Sequence, residues 1–243
     1  MKLQNKVVLV TGGGTGVGRS VAELFAKEGA KVVITGRRES LLAEVSASIA
    51  AEPAVRYYAA DVADRGQVQA LIQWVGSEVG TIDILVSNAG LNVPERQLSV
   101  LSAESWELLM NVNATGAFYM VEAVLPAMRA QKDGVIISVS SIAGIRPSVL
   151  AGAAYNASKH AMTALTKSIS LEERENGIRA TCIHPGEINT PILDARPVPV
   201  SDERKAQILQ PEDVADAVLF VATMHPRAHI LEMTMKPSVD AFV

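Results

Sequence analysis

"KVVLVTGGGTGVGRSVAELF", residues 6–25, reads as a strand, a glycine-rich turn and a helix in immediate succession. The strand part, 6–11, is apolar and rich in valine, as strands covered on both faces are. Gly12, Gly16 and Gly18 leave room for a pyrophosphate to approach backbone N–H groups. The helix that begins near Gly16 directs the positive end of its dipole at that anion. Gly14, Thr15 and Val17 complete the loop and belong to the same candidate binding set. Glycines by themselves also make ordinary tight turns. A glycine loop directly after an apolar strand is the context that a dinucleotide-binding motif requires.

The alternation continues along the chain. Apolar runs at 31–35, 55–62, 82–87, 134–140, 178–184 and 230–235 are separated by stretches long enough for helices, such as 18–30 and 65–80. Helical stretches end at Gly29, Gly80 and Gly177, the usual C-terminal punctuation. The pattern predicts an α/β fold: a single-domain Rossmann fold over 1–243, with a doubly wound parallel sheet of about seven strands and helices on both faces. One segment poor in pattern, 190–210, has prolines that oppose a regular helix in its first half, and it is expected to form a flap over a site.

Composition narrows the function classes. The 243 residues are 49% hydrophobic and 20% charged, and the formal net charge is −4. That balance lacks the basic footprint of a nucleic-acid binder. Cys182 is the single cysteine, so no internal disulfide forms. No apolar stretch before the glycines has signal-peptide length, and no uninterrupted apolar run reaches the roughly 18 residues of a membrane span. The longest apolar region, 116–128, is interrupted by Glu122 and Pro126. The expectation is a cytoplasmic protein with neither membrane nor nucleic-acid partners.

The end of the second strand bears on the choice of cofactor. In dinucleotide folds an acidic residue there accepts hydrogen bonds from the adenine ribose and favours NAD. Here Gly36 is followed by Arg37 and Arg38. No carboxylate repels a 2′-phosphate, and a guanidinium can grip one with two hydrogen bonds. The residues predict NADP(H) rather than NAD(H), with Arg37 as the main reader. The other reading open to the two arginines is a solvated turn.

The spacing Thr11-Gly12-x-x-x-Gly16-x-Gly18 resembles the short-chain dehydrogenase/reductase family, and the likeness runs from Lys6 to about Pro237. It implies that Asp61 and the backbone of Val62 lie around adenine; read without it, Asp61 serves equally as a cap for the following helix. "VSNAG" (86–90) is similar to the family's Asn-Asn-Ala-Gly turn, with Ser87 in the first position and Asn88, Ala89 and Gly90 retained. The likeness also places Pro185 and Gly186, the backbone of Ile188 and the side chain of Thr190 at the nicotinamide carboxamide.

Four residues match the family's active site in order: Asn113, Ser141, Tyr155 and Lys159. Asn111 and Ser140 fit its spacing less well, and alternation along a strand turns Ser140 to the opposite face from Ser141. The chemistry can be argued from the residues. A free phenol, with a pKa of about 10, is a poor base at neutral pH. Lys159 lies one helical turn after Tyr155 and offers a positive charge that lowers this value. Ser141 can donate to the oxygen on which negative charge develops. The resemblance gives Lys159 the nicotinamide ribose and gives Asn113 a water in a proton relay. The activity it implies is hydride transfer between a nicotinamide and a small carbonyl or secondary alcohol. A non-catalytic NADP(H) sensor and a dehydratase or epimerase that retains its cofactor are the other readings.

Three features are left over. Ser141 precedes Tyr155 by fourteen positions, one more than is common in the family, and the extra residue falls in a loop. The C-terminal stretch lacks the glycines many members carry. Arg96, Arg146 and Arg196 lie in segments expected to bound the substrate, so an anionic substrate stays open. No histidine has zinc-ligand spacing; His184 reads as a strand-end residue and Cys182 as a small core residue. The resemblance also implies a homo-oligomer, tetramer or dimer. The 116–128 stretch is compatible with that and equally with packing on the sheet.

Overall fold

The computed structural model describes residues 1–241. The strands are β1 (Val7–Thr11), β2 (Lys31–Gly36), β3 (Arg56–Ala59), β4 (Ile84–Ser87), β5 (Gly134–Val139), β6 (Ile178–Pro185) and β7 (Glu232–Met235). They form one parallel sheet in the order β3-β2-β1-β4-β5-β6-β7. The single α/β domain of Rossmann type expected from the alternation is what the chain forms.

β1 is buried at every position because helices cover both faces. Val8 and Val10 pack on the side of α1 (Gly16–Lys27), α2 (Glu39–Ser48) and α8 (Pro211–Ala222). Val7 and Leu9 face α3 (Arg65–Glu78), α5 (Gly116–Gln131) and α6 (Ala153–Glu172). The other helices are α4 (Ala103–Met110) and α7 (Asp202–Gln207). The run expected as a strand over 55–62 pairs only over Arg56–Ala59. Beyond it Asp61 Oδ1 accepts from Ala63 N at 3.0 Å and bends the chain toward α3. The cap of α3 is Asp64, which accepts from the N–H groups of Gly66 and Gln67.

α4, a π-helical turn over Asn111–Thr115 and α5 run on as one helix of 29 residues, long and apolar enough by length and composition to cross a bilayer. Pro126 lies inside it without ending it. Its inner face, Met120, Val121, Val124 and Met128, is buried against the sheet. Its outer face carries Glu122, paired with Arg65 at 2.6 Å, and Arg129.

Arg129 makes a stability element. Its Nε donates to Glu173 Oε2 at 3.0 Å, its Nη2 donates to Oε1, and Asn176 Nδ2 adds a third bond at 2.9 Å. This ties α5 to the end of α6. The Arg129 guanidinium holds the nearly buried carboxyl below the ordinary carboxylate range. A depressed folded-state value contributes stability above the unfolded value, about 4.3, and that stability is lost as pH falls through the folded one. Glu173→Gln is expected to cost about 2 kcal/mol at neutral pH. Melting temperatures measured across pH should show the variant with a flatter acid limb and the gap to wild type closing in acid.

Candidate active site

The strand order reverses between β1 and β4, and open α/β sheets bind ligands outside the C-terminal ends of their strands at such a point. A cavity of about 880 Å³ runs along that edge. At one end lie the glycine loop, Arg37, Arg38 and Asp61; at the other lie Ser141, Tyr155, Arg96 and Ile192. Every residue expected to touch cofactor lines the cavity or adjoins a residue that does.

The loop end fits a pyrophosphate. Gly12 and Gly16 hold φ of +67° and +52°, and a Cβ on Gly18 would lie 2.3 Å from Gly12 O. Thr15, the N-cap of α1, makes no side-chain bond to the first turn, and that turn carries no acidic residue. Its N–H groups are therefore open to an anion. Arg37 and Arg38 are exposed beside Gly36, and among the described residues neither has a carboxylate partner. Thr11 braces the other wall. Its Oγ1 accepts from the N–H groups of Asn88 and Ala89 at 2.9 Å each, and Asn88 Nδ2 donates to Thr11 O at 2.9 Å.

At the other end Ser141 closes β5 and caps a short 3₁₀ turn, accepting from Ala143 N at 3.1 Å. Ser140 points the other way, its Oγ donating to Lys159 O at 3.2 Å. The π-helical turn puts Asn113 inward, wholly buried, a common use of such bulges. Its amide spans Leu91, accepting from the N–H at 2.9 Å and donating to the C=O at 3.0 Å, and also donates to Ser158 Oγ at 3.0 Å. Gly90 sits between Asn113 and Lys159; a Cβ there would lie 3.3 Å from Asn113 Oδ1 and 3.4 Å from Lys159 Nζ.

A second positive charge, Arg96, lies near Tyr155 besides Lys159. Burial pushes the phenol up, while nearby Ser141 and the charge of Arg96 pull it down. Lys159 Nζ donates instead to Val139 O at 3.0 Å and lies 5.7 Å from the Tyr155 ring centroid. A buried ammonium must find an acceptor, and the last carbonyl of β5 is the one in reach. Burial lowers Lys159 itself to about 8.

The chain matches the short-chain dehydrogenase family over residues 6–198. It is 36% identical over 242 residues to an uncharacterized oxidoreductase of Staphylococcus saprophyticus, covering 98% of this chain and 99% of that one. A second such oxidoreductase, from Staphylococcus aureus, is 32% identical over 97% and 98% of the two chains. The chain belongs to the short-chain dehydrogenase family. Among solved structures, a closed form of serine dehydrogenase complexed with NADP⁺ superposes with a TM-score of 0.87 at 30% identity, over 97% and 96% of the chains. Levodione reductase gives 0.87 at 28% identity, over 96% of each chain.

The chain carries features around the site that motif reading did not reveal. The 190–210 segment, expected to form a flap, is tied down. Glu187 holds Arg196 at 2.7 Å and Arg204 at 2.6 Å, and Arg204 reaches Asp240 of the glycine-free C-terminal stretch at 2.7 Å. That stretch packs where a Cβ on Gly186 would meet Pro237 at 3.1 Å. His184, wholly buried, sets Nδ1 3.2 Å from Ser141 O and Nε2 3.1 Å from Glu232 Oε1, bracing the serine from beneath. The loop with the extra residue folds on itself through Asn156, which accepts from Ser148 N and donates to Ser148 O. Glu187, directly after Pro185-Gly186, was the one local signal of the flap network; its partners are too far along the chain to be read from spacing.

Proposed function

We propose that this oxidoreductase is an NADP(H)-dependent carbonyl reductase, also able to oxidise secondary alcohols, with Tyr155 as the proton-transfer group. The observation that carries the reading is that Ser141, Tyr155 and Lys159 line one cavity together, with Lys159 one turn along the same helix from Tyr155. Ser141 and Tyr155 hold the carbonyl oxygen by hydrogen bonds. Tyr155 gives that oxygen its proton in reduction and takes the hydroxyl proton in oxidation. Lys159, lowered to about 8, exchanges protons near neutral pH and passes them on beside Asn113. A bound nicotinamide supplies or removes the hydride.

The groups that would hold the cofactor are those the family resemblance implies, and they line or adjoin the cavity. The Gly12–Gly18 loop takes the pyrophosphate, Arg37 with Arg38 the 2′-phosphate, and Asp61 with Val62 the adenine. Asn88 to Gly90 line the middle; Lys159 takes the nicotinamide ribose, and Pro185, Gly186, Ile188 and Thr190 the carboxamide. Exposed Trp106, Leu108 and Phe118 on the α4–α5 helix and Leu171 on α6 support a homo-oligomer, a dimer or tetramer. The single cysteine, buried and unpaired, is consistent with a cytoplasmic setting.

NADPH consumption over a panel of ketones, aldehydes and diketones tests the reading. Steady turnover with at least one is expected. NADPH binding with no turnover, or isomerisation without net cofactor use, would sink it.

A further inference from the structure

Arg96 is only 7% exposed, and its guanidinium reaches three separate segments. Nε donates to Val93 O at 2.7 Å, Nη1 to Leu150 O at 2.9 Å and Nη2 to Ala195 O at 2.8 Å. These carbonyls belong to the stretch after β4, the loop before α6 and the flap after β6, which together wall the substrate end of the cavity. Its main chain joins the same frame. Ala153 N donates to Arg96 O at 3.4 Å, and Gly152, at φ +84°, lies where a Cβ would be 2.5 Å from Arg96 Cβ. Arg96 therefore grips the start of α6, just ahead of Tyr155.

All three acceptors are neutral. Among the described residues no carboxylate pairs with Arg96, whereas neighbouring Arg196 and Arg204 share Glu187. A buried cation without a counter-ion is costly, and neutral acceptors offset only part of that cost. Tyr155, facing the same cavity, is the group that acquires a negative charge when it surrenders its proton. We propose that Arg96 is a positioning residue for carbonyl reduction: one buried guanidinium locks the three substrate-side segments into a frame and holds a fixed positive charge toward the Tyr155 phenol. This rests on the reading of Tyr155 as the proton donor. The charged and titratable groups around that phenol are Arg96 from the stretch after β4, Lys159 from α6 itself and His184 from β6 behind Ser141; Arg196 and Glu187 stand behind Arg96. A lysine cannot replace the fork, because an ammonium on a flexible stem does not reach three divergent carbonyls in fixed directions.

The test is a tyrosinate ultraviolet difference titration of the NADP⁺-bound protein, with Tyr155→Phe as the blank that isolates one tyrosine of four. Arg96→Gln is expected to raise the Tyr155 midpoint by ~1 pH unit. Arg96→Lys should leave the midpoint near wild type while speeding proteolytic cleavage within 191–207. Arg96→Met repeats the measurement if Arg96→Gln does not fold. A midpoint unmoved in a folded neutral variant overturns the proposal, and so does failure of both neutral variants to fold, which would make Arg96 a folding residue only. A midpoint shift in a protein that turns over no carbonyl would fault the assigned reaction and leave the Arg96–Tyr155 coupling standing.

Discussion

Tyr155→Phe is expected to lower kcat for carbonyl reduction by about 10²–10⁴-fold, the range a positioned general acid contributes. The substitution removes one hydroxyl and keeps the ring that packs at the head of α6. NADPH affinity and melting temperature should therefore stay close to wild type, and that separates lost chemistry from lost structure. The pH dependence has a definite sign. Burial raises the phenol, so it stays protonated at neutral pH, the form a proton donor needs. Oxidation of an alcohol needs the phenolate and should climb with pH across the alkaline range. Turnover of Tyr155→Phe near the wild-type rate would reduce Tyr155 and Lys159 to two residues sharing a helix face.

Replacing Arg37 and Arg38 together by alanine is expected to lower kcat/KM for NADPH by about 10- to 100-fold, the loss of charge-assisted hydrogen bonds worth about 1.5–3 kcal/mol. NADH efficiency should change by no more than about twofold, since only the 2′-phosphate loses its partners. Both side chains are exposed and without a carboxylate partner among the described residues, so stability should hold. Arg37→Ala by itself should account for most of the loss. An unchanged ratio of NADPH to NADH efficiency in the double variant would return the two arginines to an ordinary solvated turn.

The parts of this fold legible in sequence are those encoded locally. Val7 to Thr11 had to be a doubly covered strand because every position is apolar or small enough to bury, and the glycines after it had to turn because two of them take positive φ. Asn113, Ser141, Tyr155 and Lys159 were picked out by their likeness in order to the family's site, and the fold brings Ser141, Tyr155 and Lys159 to one cavity with Asn113 beside Gly90. The 55–62 run was over-read as strand: Ala60 and Val62 continue its apolar character past Ala59, but Asp61 accepts from Ala63 N and the chain bends there. Glu122 and Pro126 interrupt the apolar run of the 29-residue helix without interrupting the helix itself.

The electrostatics of the site were not legible. Helical spacing puts Lys159 near Tyr155 but does not say where its ammonium turns, and the nearest acceptor proved to be Val139 O on another element. Arg96 looked like one of several pocket arginines. Its role comes from carbonyls 54 and 99 positions away, brought together only because β4, β5 and β6 end at one edge of the sheet. By itself the sequence determined the strand–helix order and the glycine turn, since hydrophobic period and turn chemistry are local properties, while the four residues of the candidate site came from its resemblance to the family. The tertiary structure alone decided that Arg96 joins Lys159 around the phenol and which ion pairs tie down the 190–210 segment. Coulomb and hydrogen-bond partners are set by distance in space, and a parallel sheet makes neighbours of strand ends that are far apart along the chain.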